Sequence, residues 1–414
     1  MRDRGGLSRR RRRLICIYQH APTRDAPGFY RHRYYFAELV RRGWHIDLVS
    51  TPVDYLTGVV PPAYAGRLYR HETIDGIDHH WAWAVSGIHR SRMTRVANYL
   101  SFAATATARA LVLPHPDVVW ASSPPLPVAT VGELVARRFG VPWLLEIRDL
   151  WPESAASVGW LRQESGLYRL LDRAARRAAS HASCVVVPTP GLEEGAYAHG
   201  AKEVHVVPGV VLDVAADVAR PRVRSELGVP EDACVFAYVG AHGVANGLDI
   251  LLNAAKLVSG VPRIRFLLVG DGSDRSRLAR RVAEERIENV VMLGAVPKRQ
   301  VPELLAASDV CLHVLRDDPI FHAAQPTKVL EYFSAHRPFI TTVGGIPHAL
   351  AESSGGSFAP TAERLAAEAE RWAALQPDER AALGEKAFRY GISRFGLGQN
   401  VDQLERLLES LVST

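Results

Sequence analysis

The chain has 414 residues, and 47% of them are apolar, which is typical of globular proteins with substantial hydrophobic cores. No apolar run approaches the ~20 residues that a bilayer-spanning helix needs, so the sequence predicts no membrane span. The formal net charge of +6 favours anionic partners such as nucleotides, acidic lipid headgroups or nucleic acid. Scattered cysteines in apolar runs exclude a disulfide framework and a cysteine metal cluster, and fit a reducing compartment: Cys16, Cys184, Cys234 and Cys311.

The first half of the chain alternates apolar runs with amphipathic helical patterns. Apolar runs predict strands at 14–18, 44–50, 117–121, 143–147, 184–187 and 204–207, with a β-rich stretch at 68–85. Helical spacing predicts helices at about 29–42, 95–113, 130–139, 166–180 and 191–199. Because strands and helices alternate, we expect a doubly wound parallel sheet, with Gly28 in a turn where such a sheet meets its ligands.

The same alternation restarts after a predicted linker. Strands are predicted at 235–239, 266–269, 290–293, 310–314 and 339–343. Helices are predicted at 247–258, 273–285, 301–307, from 327 onward, and at 362–375, 378–389 and 401–411. The chain should therefore fold as two Rossmann-like α/β domains facing a cleft, with the C-terminal helix packing back on the first domain.

The predicted organisation has five parts. They are a basic disordered tail at 1–13, a first domain at 14–208, a linker at 209–230, a second domain at 231–385 and crossover helices at 386–414. The arginine run at 9–13 is read mainly as a solvated tail, with a weak grip on an anionic membrane as the alternative.

The start of the helix near residue 327 has the features of an anion site. Thr327 is a predicted N-cap, and helix N-termini attract anions through free N–H groups and the helix dipole. Lys328 suits a diphosphate, while Glu331, one turn further along, suits a sugar diol. These residues predict a pocket for a nucleoside diphosphate; the alternative is an ordinary amphipathic helix with a charged first turn.

Segments of both halves resemble one family. In the second half they are 238–255 (YVGAHGVANGLDILLNAA), 266–272 (FLLVGDG), 290–297 (VVMLGAVP), 308–315 (SDVCLHVL), 325–340 (QPTKVLEYFSAHRPFI) and 343–347 (VGGIP). In the first half they are 31–51 (RHRYYFAELVRRGWHIDLVST), 74–81 (IDGIDHHW), 97–102 (ANYLSF), 116–127 (PDVVWASSPPLP) and 146–154 (EIRDLWPES). Together they resemble glycosyltransferase family 4, retaining enzymes of the GT-B fold, and in particular its bacterial polysaccharide branch, which includes fucosamine-transferase-like enzymes.

The resemblance implies an enzyme that transfers a sugar from a nucleotide diphosphate sugar, UDP-linked in our interpretation, with retained configuration. A hexosyl- or N-acetylhexosaminyl-type transferase would extend a saccharide or polyprenyl-linked acceptor of a cell-surface polysaccharide such as O-antigen or capsule. The family commonly needs no metal or other cofactor, because protein cations and helix ends stabilise the departing diphosphate. The second domain would bind the donor and the first would face the acceptor.

Carried over position by position, the resemblance assigns Glu331 to the ribose hydroxyls, and Thr327 and Lys328 to the phosphates. The remaining donor-side positions that it implies are glycine turns and residues near the base: Gly28, Gly240, Gly243, Val296 and Pro297.

Several positions depart from the family pattern. A glutamate expected eight residues before Glu331 is Ala323, and the basic pair of the broader family is replaced by Ala241 and Asn246. A histidine usual in the first domain aligns with Arg148. Because of these departures, we predict Lys328 and Arg148 as the cations of the phosphate clamp.

Arg148, Asp149 and Lys328 are the predicted catalytic residues. Arginine makes a planar, bidentate contact to phosphate and stays charged, and Asp149 would hold that arginine or the sugar. The alternative is a structural ion pair between Arg148 and Asp149 at the end of a strand.

Three further residues are candidates for donor contacts. Gly270 and Gly272 could approach phosphate through bare backbone, although a tight turn without a ligand explains them equally well. His242 could touch the diphosphate, although a solvent-exposed loop histidine is the commoner case.

The helix after residue 90 suggests a membrane contact. It carries Arg90, Arg92 and Arg95, with Tyr99 and Phe102 behind them, so it could rest on an anionic surface that presents a lipid-linked acceptor. The alternative is a helix that covers the sheet. We therefore expect a cytoplasmic protein, with a peripheral position on the inner face of the membrane as a further option.

The sequence leaves three other functions to compare with this one. A nucleotide-sugar epimerase or hydrolase of the same fold would need an acid and base set that the sequence does not show. A glycosyltransferase acting on a natural product would share every motif. A nucleic-acid partner is not expected, because the chain shows no RNA or DNA motif.

Overall fold

The structure is a computed structural model that describes residues 11–23, 31–55, 57–157, 159–214, 220–322 and 326–413. The chain separates into two compact units: Met1–Pro208 with Asn400–Thr414, and Gly209–Gln399. Within the described ranges, no helix is both long and apolar enough to cross a membrane.

The first unit is built on one mostly parallel sheet. Its strands are β1 (Arg13–Ile17), β2 (His45–Ser50), β3 (Tyr69–Ile74), β4 (Ile77–Ala82), β5 (Val118–Ser123), β6 (Trp143–Ile147), β7 (Cys184–Val187) and β8 (Val204–Val206). Its helices are α1 (Arg31–Arg41), α2 (Arg92–Ala110), α3 (Pro127–Phe139), α4 (Glu153–Ser157), α5 (Gly166–His181) and α6 (Glu193–Ala198). The strand order is β3-β4-β2-β1-β5-β6-β7-β8, and β3 alone among these pairs antiparallel, in a hairpin with β4. The order reverses between β1 and β5, where such sheets bind ligands at the carboxyl ends of their strands.

The second unit is a smaller doubly wound sheet. Its strands are β9 (Cys234–Val239), β10 (Ile264–Val269), β11 (Val290–Leu293), β12 (Val310–His313), β13 (Phe339–Thr341) and β14 (Ser357–Phe358). Its helices are α7 (Arg220–Glu226), α8 (Asp249–Leu257), α9 (Arg275–Glu284), α10 (Val301–Ala307), α11 (Pro319–His322), α12 (Thr327–Ser334), α13 (Ile346–Ser354), α14 (Ala362–Ala374) and α15 (Pro377–Phe395). The described strands pair in parallel in the order β11-β10-β9-β12-β13-β14, so the order reverses between β9 and β12.

The central strand β9 shows why the apolar runs predicted strands so well. Phe236 packs into a hydrophobic core on one face of the sheet, while Val235 and Ala237 pack into a second core on the other. A parallel strand covered on both faces is apolar at nearly every position rather than at alternate ones. The predicted fold class, two doubly wound α/β sheets, is confirmed.

The predicted linker at 209–230 is wrong in part, because α7 lies within it. Arg224 is buried and donates to the Ala307 carbonyl at 2.9 Å and to Asp309 Oδ2 at 2.7 Å. Arg220 donates to Asp309 Oδ1 at 2.6 Å. Arg220 and Arg224 make this segment polar in sequence, and their pairing with buried Asp309 anchors it to the second unit.

The predicted disordered tail at 1–13 also needs correction at its end. Arg13 opens β1 and donates to Asp47 Oδ2 at 2.5 Å, and Arg12 pairs with Glu409. Glu409 lies in the last helix, α16 (Leu397–Ser413), whose residues from Asn400 onward belong to the first unit. Residues 1–10 lie outside the described part of the chain.

The helix that opens the anion site starts one residue earlier than predicted. The N-cap of α12 is Pro326, and Thr327 is the first helical residue, with no side-chain hydrogen bond to the helix end. Pro326 has the extended backbone of an N-cap residue, so the helix begins directly after it, at Thr327.

Candidate functional site

Two glycine turns pack against each other at the carboxyl ends of β9 and β10. Gly240 N donates to the Val269 carbonyl at 2.9 Å, and His242 N donates to the Asp271 carbonyl at 2.8 Å. Gly270 has φ of 144°, and a Cβ atom there would collide with the Gly240 carbonyl. These contacts place bare backbone beside the point where the strand order reverses, and the second turn requires glycine at Gly270 because of this close approach.

Lys328 reaches from α12 to this point. Its Nζ donates to the Tyr238 hydroxyl at 3.2 Å and lies 4.3 Å from the centroid of that ring. The Tyr238 hydroxyl in turn donates to the Ala241 carbonyl at 2.7 Å, which joins the lysine to the first glycine turn. A Cβ atom on Gly240 would lie 2.8 Å from Nζ, so the absent side chain leaves room for the ammonium.

The electrostatics around Lys328 suit an anion. Burial lowers the pKa of Lys328 to about 8, and Glu331 opposes that shift. His313 is buried nearby, and burial followed by the charge of Lys328 lowers its pKa to about 3. His313 is therefore neutral at pH 7 and adds no positive charge beside the lysine.

The carboxylate of Glu331 lies one turn beyond Lys328 and is already paired. Lys298 Nζ contacts Glu331 Oε1 at 2.6 Å. Lys298 follows Pro297 directly, so the turn after β11 and the first turn of α12 are joined at this pair. Val296 is half-buried and packs against the core, while Pro297 and Thr327 are exposed.

His242 is buried rather than exposed, which corrects the commoner expectation for a loop histidine. Its ring lies 5.9 Å from that of Tyr238. Burial lowers its pKa, and the nearby charges of Arg275 and Lys328 lower it further. The Val269 carbonyl is near enough to oppose that shift, but no hydrogen bond with good geometry reaches either ring nitrogen from the described residues.

The first unit places Arg148 at the end of β6, beside the strand-order reversal. Its Nη2 donates to the Pro124 carbonyl at 2.6 Å, and Nη1 donates to the Tyr18 hydroxyl at 3.3 Å. The guanidinium carbon lies 4.6 Å from the centroid of the Tyr18 ring. Among the described residues Arg148 and Asp149 form no ion pair within 4.0 Å, so the structural-pair alternative is not supported.

Asp149 is exposed beside Arg148. Partial desolvation raises the pKa of its carboxyl, while the Ser154 hydroxyl and Arg148 act in the opposite direction. His20 also lies near Arg148: burial, followed by the charge of that arginine, lowers its pKa to about 3.

A buried carboxylate two residues before Arg148 was not singled out from the sequence. Glu146 pairs with Arg31, lies 2.7 Å from His32 Nε2 and accepts from Trp120 Nε1 at 3.2 Å. Burial alone would raise the pKa of Glu146, but His32 and Arg31 hold it well below its usual range. The available signal was a glutamate inside the apolar run 143–147, which requires a buried partner.

The remaining site predictions divide by unit. The second unit brings together Gly240, Gly243, Gly270, Gly272 and the side chains around Lys328 at one end of its sheet. The first unit holds Arg148 and Asp149 together. Gly28 and Ala323 lie outside the described residues. The sequence did not identify Tyr238, Lys298 or Arg275, because a tyrosine in a strand and cations in turns carry no pattern of their own.

Two groups in the described part of the chain have ligand-type atoms within 4.8 Å of one another: His45 with Asp47 and Asp78, and Glu153 with Asp172 and His199. Neither group contains a residue of the predicted site. In each, an arginine already donates to an aspartate, Arg13 to Asp47 and Arg176 to Asp172.

Comparisons with known proteins match both halves of the chain to glycosyltransferase family models. Residues 31–209 match the family model described as glycosyl transferase 4-like domain, and residues 233–374 match glycosyl transferases group 1. A protein named "Probable glycosyltransferase WbjE" of Pseudomonas aeruginosa is 25% identical over 55% of this chain and 57% of its own length. A GDP-mannose-dependent alpha-mannosyltransferase of Mycobacterium tuberculosis is 30% identical over 48% of this chain and 49% of its own. The matches thus span about half the length of these curated relatives.

Solved structures extend the similarity to the whole fold. Sucrose-phosphate synthase of Thermosynechococcus elongatus superposes with a TM-score of 0.73 at 19% identity, over 97% of this chain and 100% of that one. HepE of Anabaena, solved with UDP and glucose, gives 0.67 at 16% identity, over 96% and 100%. With two family matches in succession and this fold, the chain belongs to the group 1, family 4-like glycosyltransferases, which have the GT-B fold.

Proposed function

We propose that this chain transfers a sugar, with retained configuration, from a nucleotide diphosphate sugar to a saccharide or lipid-linked saccharide of a cell-surface polysaccharide. The observation that carries the proposal is the half-buried ammonium of Lys328, held over Tyr238 beside two glycine turns where the strand order reverses. Such a cation beside bare backbone suits a diphosphate, which is the leaving group of this chemistry.

In this proposal each neighbour has a separate task. Glu331 accepts from the ribose hydroxyls with the oxygen that Lys298 leaves free. Lys328 meets the negative charge that grows on the departing diphosphate. Arg148 is the other proposed cation for the phosphates, and its guanidinium is already oriented by Tyr18 and the Pro124 carbonyl. Asp149 holds that arginine or the sugar. Because these cations are supplied by the protein, the proposed reaction needs no metal.

We expect a UDP-linked donor. HepE, which was solved with UDP, supports this expectation, whereas the GDP-mannose-dependent relative favours GDP. Calorimetry with UDP, GDP, ADP and TDP tests the proposal directly. Tight binding of UDP supports the donor assignment, and preference for GDP keeps the enzyme class but changes the donor. Failure of the folded protein to bind any of them would contradict the proposed function.

A lipid-linked acceptor is supported by α2. The helix covers the sheet with Phe102 and Ala106, yet it also leaves Met93 and Leu100 exposed by 78% and 59%. Two exposed arginines lie at the start of this helix, Arg90 and Arg92. Exposed apolar side chains with cations near them in the chain suit an anionic bilayer surface.

Sedimentation with phosphatidylglycerol vesicles tests this surface. Leu100→Asp should release the protein from the vesicles, whereas Leu134→Asp, on an exposed position of α3, should not. Equal release by both variants, or equal binding to neutral vesicles, would contradict the assignment.

A further inference from the structure

Arg275 stands beside the donor site and has no assigned role. It is the first residue of α9, and its backbone N donates to the Gly272 carbonyl at 3.1 Å, which ties it to the second glycine turn. The N-terminus of a helix of this length carries a partial positive charge. The Arg275 side chain therefore adds its full charge to the partial positive charge of this helix end.

The guanidinium of Arg275 differs from those of Arg277 and Arg281 on the same helix because it lacks an acidic partner among the described residues. Arg277 donates to Asp249 and Asp274, and Arg281 donates to Asp249 and Glu285. By contrast, Arg275 Nε is buried and meets no acceptor in the described part of the chain, where its guanidinium also forms no ion pair. A buried donor without a partner is costly, so this arginine is poised for an anion from outside the protein.

The position of Arg275 connects it to the proposed diphosphate site. Its charge acts on His242, whose ring lies beside Tyr238 and Lys328. A Cβ atom on Gly294, just after β11, would lie 3.8 Å from Arg275 Nη2. The side chain thus lies near the ends of β9, β10 and β11, along the edge that carries both glycine turns.

Charge balance calls for such a residue. A nucleoside diphosphate carries at least two negative charges, and within the second unit, the proposed donor-binding unit, Lys328 supplies one positive charge. The loop 240–247 supplies none, since it reads GAHGVANG. Lys298 is already committed to Glu331.

We propose that Arg275 binds the diphosphate of the donor as the second cation, together with Lys328. This inference rests on the proposed function and names the residue that would complete its phosphate clamp. Arginine suits the task because its planar fork can contact two phosphate oxygens at once.

The test is calorimetry of three proteins, wild type, Arg275→Ala and Arg280→Ala. Each protein is titrated with UDP, uridine and inorganic pyrophosphate, and in parallel with GDP and guanosine. Arg280 is an exposed arginine of the same helix and serves as the matched control. We expect Arg275→Ala to weaken the diphosphate and pyrophosphate about tenfold or more, to leave the nucleoside unchanged, and to reduce the salt dependence of binding. Arg280→Ala should match wild type.

Other outcomes separate this inference from the proposed function. Unchanged diphosphate affinity in Arg275→Ala, or an equal loss for the nucleoside, would overturn the assignment of Arg275. Arg275→Lys should recover part of the loss, which a misfolded alanine variant would not explain. If wild type binds pyrophosphate through Arg275 but no nucleoside diphosphate, the proposed function fails and the anion site stands. If it binds neither, both fail.

Discussion

Lys328 is a titrating residue at the centre of the donor site, because burial lowers its pKa to about 8. A diphosphate binds the protonated form, so affinity should be highest well below pH 8 and should fall as pH rises through that value. Above that value, the affinity should fall by at most about tenfold for each pH unit. Calorimetry with UDP from about pH 7 to about pH 9.5 measures this slope. Lys328→Arg stays charged and should flatten it; the same slope in both proteins would assign the titration to another group.

Glu331 offers a second residue-scale prediction. Glu331→Ala removes the carboxylate that we assign to the ribose diol and leaves Lys298 without its partner. Hydrogen bonds to a charged group are worth a few kcal/mol, so UDP should bind about a hundredfold more weakly. Glu284→Ala, on an exposed position of α9, is the control for calorimetry. Affinity equal to wild type in Glu331→Ala would remove the ribose assignment.

At the scale of elements, α7 is held by one buried cluster. Arg224→Ala would leave Asp309 in the interior with one cation fewer and would free the carbonyls of Ala307, Glu231 and Ala233. Breaking a buried pair from one side costs about 3–5 kcal/mol, so hydrogen exchange in β9 and β12 should accelerate strongly. Arg222→Ala, exposed on the same helix, should change stability by less than ~0.5 kcal/mol. Similar exchange in the two variants would show that α7 is a loose linker after all.

At the scale of the whole molecule, the last helix returns to the unit where the chain began. Leu404 and Leu408 of α16 are buried, and Glu405 accepts from Arg42 and from the indole of Trp44. Leu404→Ala should therefore destabilise the first unit by about 2–5 kcal/mol. Hydrogen exchange should rise in β1 and β2 and stay unchanged in β9, with exposed Arg406→Ala as the control. A rise confined to β9 would contradict this packing.

The local pattern of the sequence determined the elements and the fold class. Strands within an α/β sheet are apolar at nearly every position, so β6, β7 and β11 were predicted with their observed bounds, as was α10. The sequence also predicted Lys328 and Glu331 as donor contacts, because a helix start places them one turn apart.

Tertiary structure alone decided which groups are paired and which are free. Arg224 and Arg275 look alike in sequence, yet the fold gives one a buried carboxylate and leaves the other without an acidic partner among the described residues. Tyr238 became part of the site because α12 packs across the end of β9. Local sequence patterns determined the secondary structure and fold class of this protein. Burial and ion pairing depend on residues far apart in the chain, so only three-dimensional packing determined which charges are available to a ligand.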